Sequence, residues 1–228
     1  MSKDEYLITD APIKALTVFA MPMILGSFFQ QVYNMADSII VGQYVGAPAL
    51  AAVGACAALT NVFICIALGA GAGAGVLVSR YFGAKNYSKM KTIVSTSLIS
   101  FLILSVLLGI FGFCFSRFMM TALQTPADIL EEAVLYLRVY FVGFPFLFMY
   151  NIISTMFNSI GESKIPLGLL IFSSILNIFM DIWMVAGLGL GVFGAALATL
   201  IAQGISAVFS LLIFFSRMRR YKSHFDWF

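Results

Sequence analysis

Hydrophobic positions fill this chain in long blocks, and charged residues fall mostly between the blocks. Charge-free runs cover 15–36, 38–79, 92–116, 139–161, 165–180 and 182–216. A membrane-spanning helix needs roughly 20 apolar residues. The second run is long enough for two spans, and a turn-like segment interrupts it at 42–48. The pattern therefore predicts six helices, near 15–41, 48–79, 92–116, 131–158, 165–186 and 191–216.

Composition agrees with this pattern. The chain is 61% hydrophobic and 10% charged, with a mean hydropathy of +1.01, and a soluble core of 228 residues could not bury so much apolar surface. We expect an all-α integral membrane protein with a six-transmembrane-helix bundle at 15–216. It lies between a cytoplasmic amino terminus, 1–14, and a basic cytoplasmic tail, 217–228. A signal peptide is not expected, because fourteen largely polar residues precede the first apolar run.

The basic residues predict the orientation. If the amino terminus is cytoplasmic, eleven of the thirteen Lys and Arg residues lie inside and only Arg117 and Arg138 lie outside. Positive residues favour the cytoplasmic side, so both termini are predicted there, in a multi-pass protein of the cell membrane. The net charge of +3 then reflects topology, and the basic segment 217–222 is an orientation signal. No nucleic-acid partner is expected.

Glycine and proline positions predict close packing and bends. Glycines 69, 71, 73 and 75 form two overlapping GxxxG pairs in the second helix, a spacing that lets a neighbouring helix approach closely. Pro22 and Pro145 lie inside predicted spans, where each removes a backbone hydrogen bond and is a candidate kink. In a transporter such a kink can be a hinge, although a static bend explains it equally well.

Two acids interrupt the apolar blocks. Asp37 and Asp181 lie in predicted spans, where a carboxylate costs roughly 2.5–3.5 kcal/mol and is a functional hypothesis by default. Other polar residues follow at helical spacing and form stripes on four helices. The stripes comprise Gln30, Asn34 and Asp37; Asn151, Thr155 and Asn158; Asn177 and Asp181; and Thr199, Gln203, Ser206 and Ser210. Such stripes indicate a shared, partly hydrated interior, or polar contacts that hold helices together.

Residue counts along the helices place some of these polar residues at the same depth in the membrane. Asp37 lies eight residues before the turn at Val45, Asp181 eight before the turn at Gly189, and Thr199 ten after Gly189. At about 1.5 Å per residue, all three lie roughly 12–15 Å below the outer surface.

Asn177 lies one turn deeper on the face of Asp181, so Asp37, Asn177, Asp181 and Thr199 are predicted to converge. This all-oxygen set suits a hard cation such as Na⁺ or a shared proton. The alternative is a neutral, hydrogen-bonded carboxyl pair that holds the bundle together.

Enzymatic chemistry is not expected. An intramembrane aspartyl protease would also use paired aspartates, but Asp181 follows Met180 and is not part of a GxGD sequence. There is no HExxH motif, and the sole histidine, His224, is in the tail. Cysteines 56, 65 and 114 lie in predicted spans without a CxxC pair, so we expect buried apolar residues. No resident metal and no cofactor are predicted.

Several motifs together carry a family resemblance over essentially all 228 residues. They are Ala20-Met21-Pro22, the stretch Gln31–Asp37 continuing into Val41-Gly42, the loop Gly161–Pro166, Asn177-x-x-x-Asp181, and Gly194–Thr199. With these motifs the chain resembles the amino-terminal half of the multidrug and toxic compound extrusion (MATE) family of cation-coupled antiporters.

The resemblance implies twelve helices in two six-helix lobes around a central cavity. It implies a cation or proton site at Asp37, Asn177, Asp181 and Thr199, and a first-helix hinge at Pro22. The substrates would be cationic, amphipathic drugs or dyes, exchanged for inward H⁺ or Na⁺. Because family members are about twice as long, we expect a fragment or truncated gene product. This lobe would need the carboxy-terminal lobe or a second copy.

Two other functions stay open at the level of sequence. One is a flippase for lipid-linked precursors from the same superfamily, which a wide cationic cavity would favour. The other is a non-transporting, half-length membrane subunit that uses the lobe as an interaction surface. A downstream reading frame that encodes six more helices would favour the antiporter over the subunit.

Overall fold

A computed structural model describes residues 11–219, and every regular element in that range is helical. The α-helices are α1 Pro12–Tyr44, α2 Ala47–Gly83, α3 Tyr87–Ala122, α4 Leu130–Val142, α5 Phe144–Ser159, α6 Lys164–Asp181 and α7 Gly191–Met218. A π-helical segment, Ile182–Gly187, continues α6.

The structure confirms the six predicted spans. Five helical stretches in the described range are each long and apolar enough to cross a membrane, and the bent pair of α4 and α5 makes the sixth. Large apolar side chains cover the outside of the bundle, and only 11% of the most apolar window of α1 is buried. A surface of this kind is stable in lipid. Most of the predicted terminal segments 1–14 and 217–228 lies outside the described residues.

The fourth span bends where the sequence predicts a kink. Helices α4 and α5 meet at Gly143 with an angle of 51° between them. Pro145 occupies the first turn of α5 and cannot donate a hydrogen bond to the carbonyl of Phe141. That carbonyl instead faces α3, 2.9 Å from the position that a Cβ of Gly109 would occupy. The glycine therefore lets α3 pass close to the bend.

Aromatic rings fill the interior beside this bend. Phe141, Phe144 and Phe148 are fully buried, and Phe63 of α2 packs edge-on against Phe141 with ring centroids 5.1 Å apart. The Phe141 and Phe144 rings are 4.6 Å apart. Gly112 of α3 lies directly against the Phe141 ring. The bend and the aromatic cluster therefore lock α2, α3 and the fourth span together.

The glycine prediction for α2 is correct for one of the two pairs. A Cβ on Gly75 would lie 2.7 Å from Ser159 Oγ, and one on Gly71 would lie 3.5 Å from Thr155 Oγ1, so these two glycines face α5 closely. Within the described residues, nothing lies within 4 Å of a Cβ on Gly69 or Gly73. The second pair faces outward because residues two apart on a helix lie on different faces.

The prediction that all three cysteines are buried is wrong for two of them. Cys56 is buried and its Sγ lies 3.3 Å from the Ala133 carbonyl oxygen, whereas Cys65 and Cys114 are exposed on the bundle surface. In a membrane protein the outer surface is apolar, so a thiol has no need of burial there.

Candidate functional site

The four predicted site residues converge between α1, α6 and α7. Asp37 is on α1, Asn177 and Asp181 are on the last turns of α6, and Thr199 is near the start of α7. Asn177 and Asp181 are 2% and 0% exposed, Thr199 is buried, and Asp37 is half-buried.

Depth in the membrane was counted from two turns, one at Val45 and one at Gly189. These turns are neighbours in the fold. The Val45 side chain lies 3.6 Å from the position of a Cβ on Gly191, so the turn after α1 lies beside the start of α7. Gly191 has φ +58°, a backbone conformation that favours glycine, and it reverses the chain into α7. Equal distances from these turns therefore correspond to similar depths.

Hydrogen bonds order the α6–α7 half of the site. We assign the Asn177 amide from its surroundings, with the nitrogen towards Asp181. Asn177 Nδ2 then donates to Asp181 Oδ2 over 2.7 Å, and the amide oxygen accepts from Thr199 Oγ1 over 3.3 Å and from the Thr199 backbone N–H over 3.2 Å. The opposite assignment offers the amide only one contact, with Thr199 Oγ1 at 3.3 Å. Asn177 thus connects the carboxyl of Asp181 to α7.

The carboxyl groups of Asp37 and Asp181 lie close enough to interact with each other. Oδ1 of each aspartate is buried and accepts no hydrogen bond from the described residues. Two ionised carboxylates that lie side by side repel each other. They can stay together if they share a proton or a cation. Chemically, the pair can hold one positive charge between α1 and α6.

A change of helix type follows this pair immediately. Asp181 is the last α-helical residue of its span, and the π-helical segment begins at Ile182. Its wider turn is seen in the bond from the Leu188 N–H to the Trp183 carbonyl, five residues back. Segments of this kind are rare and often occur at functional sites. The predicted helix 165–186 has the right extent but gives no sign of this change.

Three tyrosines surround the site, and the sequence analysis missed them. Tyr33 lies one turn before Asp37, and its hydroxyl is near Thr199. Tyr136 and Tyr140 of α4 stack with ring centroids 6.2 Å apart, and Tyr136 lies near Asp37. The i, i+4 spacing of Tyr33 and Asp37 was a usable signal, whereas only the fold brings α4 to this place.

The predicted cavity-lining residues are in several environments. Gln30 is half-buried and Asn34 is exposed on α1. Thr155 Oγ1 donates to the Asn151 carbonyl and Asn151 Nδ2 donates to the Leu147 carbonyl, both within α5.

Asn158 and Gln203 each have a buried side-chain oxygen without a hydrogen-bond partner among the described residues. Thr155 also packs against the two α2 glycines that face α5, which is a helix interface. Lining of a transport cavity stays a prediction for all six residues.

Pro22 is buried inside α1, which runs through it without a break. Ser163, at the start of α6, donates its hydroxyl to the Phe19 carbonyl over 3.3 Å. This bond reaches the turn of α1 that the proline weakens, where side chains of neighbouring helices can satisfy backbone groups. A hinge role for Pro22 stays a prediction.

Comparisons with known proteins identify the family of this chain. The MatE family model matches residues 22–183. The chain is 30% identical to the probable multidrug resistance protein YoeA of Bacillus subtilis (strain 168), over 93% of this chain and 46% of that protein. It is 28% identical to the multidrug export protein MepA of Staphylococcus haemolyticus (strain JCSC1435), over 94% of this chain and 48% of that protein.

Among solved structures, the fold matches the outward-facing conformation of a multidrug resistance MATE family transporter of the MOP superfamily. The TM-score is 0.89 at 28% identity, and the match covers 97% of this chain and 49% of that one. The chain thus spans about half the length of the relatives that it matches. It is a multi-pass membrane protein, and it belongs to the MatE family.

Proposed function

We propose that this chain is the amino-terminal, ion-binding lobe of a cation-coupled multidrug efflux antiporter. The observation that carries the proposal is the proximity of the Asp37 and Asp181 carboxyls, whose Oδ1 atoms are buried and accept no hydrogen bond from the described residues. An ion or proton that binds there neutralises the pair and draws α1 towards α6. When the site is empty, the two charges push those helices apart.

Ion binding is coupled to conformation because the occupied and the empty site favour different helix arrangements. The ion stabilises the arrangement in which the carboxyls meet, and a ligand can shift a conformational equilibrium only by such differential binding. Asn177 links Asp181 to Thr199 of α7, and Tyr33 of α1 lies near Thr199. A change of ion occupancy therefore reaches three helices. Cationic, amphipathic drugs or dyes are the proposed substrates, H⁺ or Na⁺ is the proposed coupling ion, and no catalytic residue or cofactor is invoked.

Ion-driven efflux by the product of the complete reading frame tests this function. In proteoliposomes, we expect an inward gradient of H⁺ or Na⁺ to drive export of a cationic dye such as ethidium, and dissipation of that gradient to stop it. The same vesicles with a fluorescent lipid-linked oligosaccharide precursor test the flippase. Lipid translocation without dye export would replace the antiporter by the flippase. If neither substrate moves, the non-transporting subunit is favoured.

The proposed orientation has both termini in the cytoplasm. In that case Lys89, in the first turn of α3, and Asp128, between α3 and α4, lie on opposite membrane sides. Single cysteines at these positions, in a chain whose native cysteines are replaced by serine, report the orientation through a membrane-impermeant maleimide. In intact cells we expect labelling at 128 and none at 89. The reverse pattern would invert the topology.

A further inference from the structure

An apolar groove of about 350 Å³ lies where α3 passes the bend of the fourth span. On α3 its wall includes Gly109, Ile110 and Phe113, and across from them lie Phe141 and Pro145. The lining side chains offer no charged or hydroxyl group. Because Pro145 and Gly143 make the bend, the groove is a consequence of the broken fourth span.

The groove and the four site residues lie on different helices. Helix α3 makes its main contacts with α2, α4 and α5, whereas Asp37, Asp181 and Thr199 lie on α1, α6 and α7. Ile110 is 59% exposed and lies on the outer face of α3. An exposed apolar face of this kind is suited to lipid chains.

One cationic side chain, that of Arg138, lies at one end of the groove. Arg138 of α4 lies above Phe113, with the guanidinium carbon 5.5 Å from the ring centroid, and its Nε donates to Ser116 Oγ over 3.2 Å. The Ser116 hydroxyl in turn donates to the Phe113 carbonyl over 3.0 Å, which fixes the acceptor. The guanidinium is therefore held at Nε, and no other residue within 11–219 is hydrogen-bonded to Nη1 or Nη2.

No carboxylate neutralises this arginine within residues 11–219. The neighbouring Arg117 is different, because its Nη2 lies 2.8 Å from Glu131 Oε1 and both side chains are more than half exposed. A half-buried guanidinium without an anion is costly at a membrane boundary. Arg138 thus has the geometry to donate hydrogen bonds to two oxygens of one anionic group.

The Arg138 guanidinium and the apolar groove are arranged like the two parts of an amphipathic molecule, a charged headgroup and an apolar chain. Ser116 is the last residue of the charge-free run of α3, so Arg138 stands at the edge of the hydrocarbon layer. From there the groove runs along residues 106–114 of α3, about 12 Å towards the membrane centre. An anion at Arg138 with an apolar chain below it matches both parts.

We propose that this groove binds a phospholipid. The phosphate accepts from Nη1 and Nη2 of Arg138, and an acyl chain lies between α3 and the bend. A headgroup with net negative charge binds better than a zwitterionic one, because the site supplies one uncompensated positive charge. The bound chain fills the gap left by the bend and supports it.

Lipid retention tests the proposal. The product of the complete reading frame, purified in detergent, is titrated with phosphatidylglycerol or phosphatidylcholine, and bound lipid is counted by native mass spectrometry. We expect Arg138→Gln to weaken phosphatidylglycerol binding roughly fivefold, the effect of removing one basic residue from a lipid site. Arg117→Gln is the matched control, since it removes the same charge from the same membrane face, and it should bind as the parent protein does. Ile110→Trp, which fills the groove, should also weaken binding.

Three results would overturn the site. They are parent-like binding by Arg138→Gln, equal losses in Arg138→Gln and Arg117→Gln, and displacement of the lipid by soluble glycerol 3-phosphate. Helix content and a single size-exclusion peak establish that each variant is folded. If Arg138→Gln does not fold, Ile110→Trp and the glycerol 3-phosphate competition decide between a lipid site and none.

Discussion

Replacing Asp37 with asparagine is expected to abolish ion-driven drug efflux and to leave membrane insertion intact. Asparagine keeps the size of the side chain but cannot carry the negative charge that a cation or proton requires. Its amide can donate to Asp181 permanently, which imitates the occupied pair and prevents its release. Ethidium efflux from cells that express the complete reading frame measures the effect, with membrane insertion checked by immunoblotting of the membrane fraction.

Asp128→Asn is the control for the change of charge. Asp128 precedes α4 and is exposed, so the same substitution there should leave efflux unchanged. Asp181→Asn should also impair coupling, because it alters the other half of the pair. Parent-like efflux in Asp37→Asn would refute the ion site while leaving the family and the fold intact.

Gly112→Ala is expected to destabilise the lobe. A Cβ at this position would overlap the Phe141 ring, and that ring cannot withdraw because Phe63 and Phe144 pack against it. Overpacking of a filled core costs about 1–3 kcal/mol. We therefore expect the thermal unfolding midpoint in detergent to fall by several degrees, measured by loss of helical circular dichroism.

A glycine in open space provides the control for helix propensity. Gly73→Ala makes the same change in a membrane-spanning helix, but nothing in the described chain lies within 4 Å of the new Cβ. The thermal unfolding midpoint of Gly73→Ala should not fall. Phe141→Leu in the Gly112→Ala background should recover part of the loss, because it removes the overlapping ring atoms. An unchanged midpoint in Gly112→Ala alone would contradict the close packing of α3 on the bend.

The sequence alone predicted much of the candidate site because membrane helices follow simple rules. Apolar runs determine the spans, and helical rise converts distance along the chain into depth. Asp37, Asp181 and Thr199 could thus be placed at one level before any contact was known. Contact itself needs the packing of α1 against α6 and α7, which no local pattern specifies.

The neighbours of the site were harder to predict. Tyr136 and Tyr140 lie in an aromatic-rich stretch that looks like core, and their position beside Asp37 depends on the docking of α4. The π-helical segment after Asp181 has no distinctive composition, since its residues are ordinary apolar ones. Tertiary packing decided both features.

The proposed lipid groove also depends on one feature that the sequence predicts and on others that only tertiary packing creates. Pro145 marked the fourth span as a candidate for a bend, because a proline cannot complete the helical hydrogen bond. The pairing of Arg138 with Ser116, and the groove beneath it, exist only because α3 runs beside that bend. The sequence by itself determined the spans, the costly acids and their depth, through hydrophobicity and helical rise. Tertiary structure decided which polar groups meet, because helix rotation and tilt depend on side-chain packing between segments far apart in the chain.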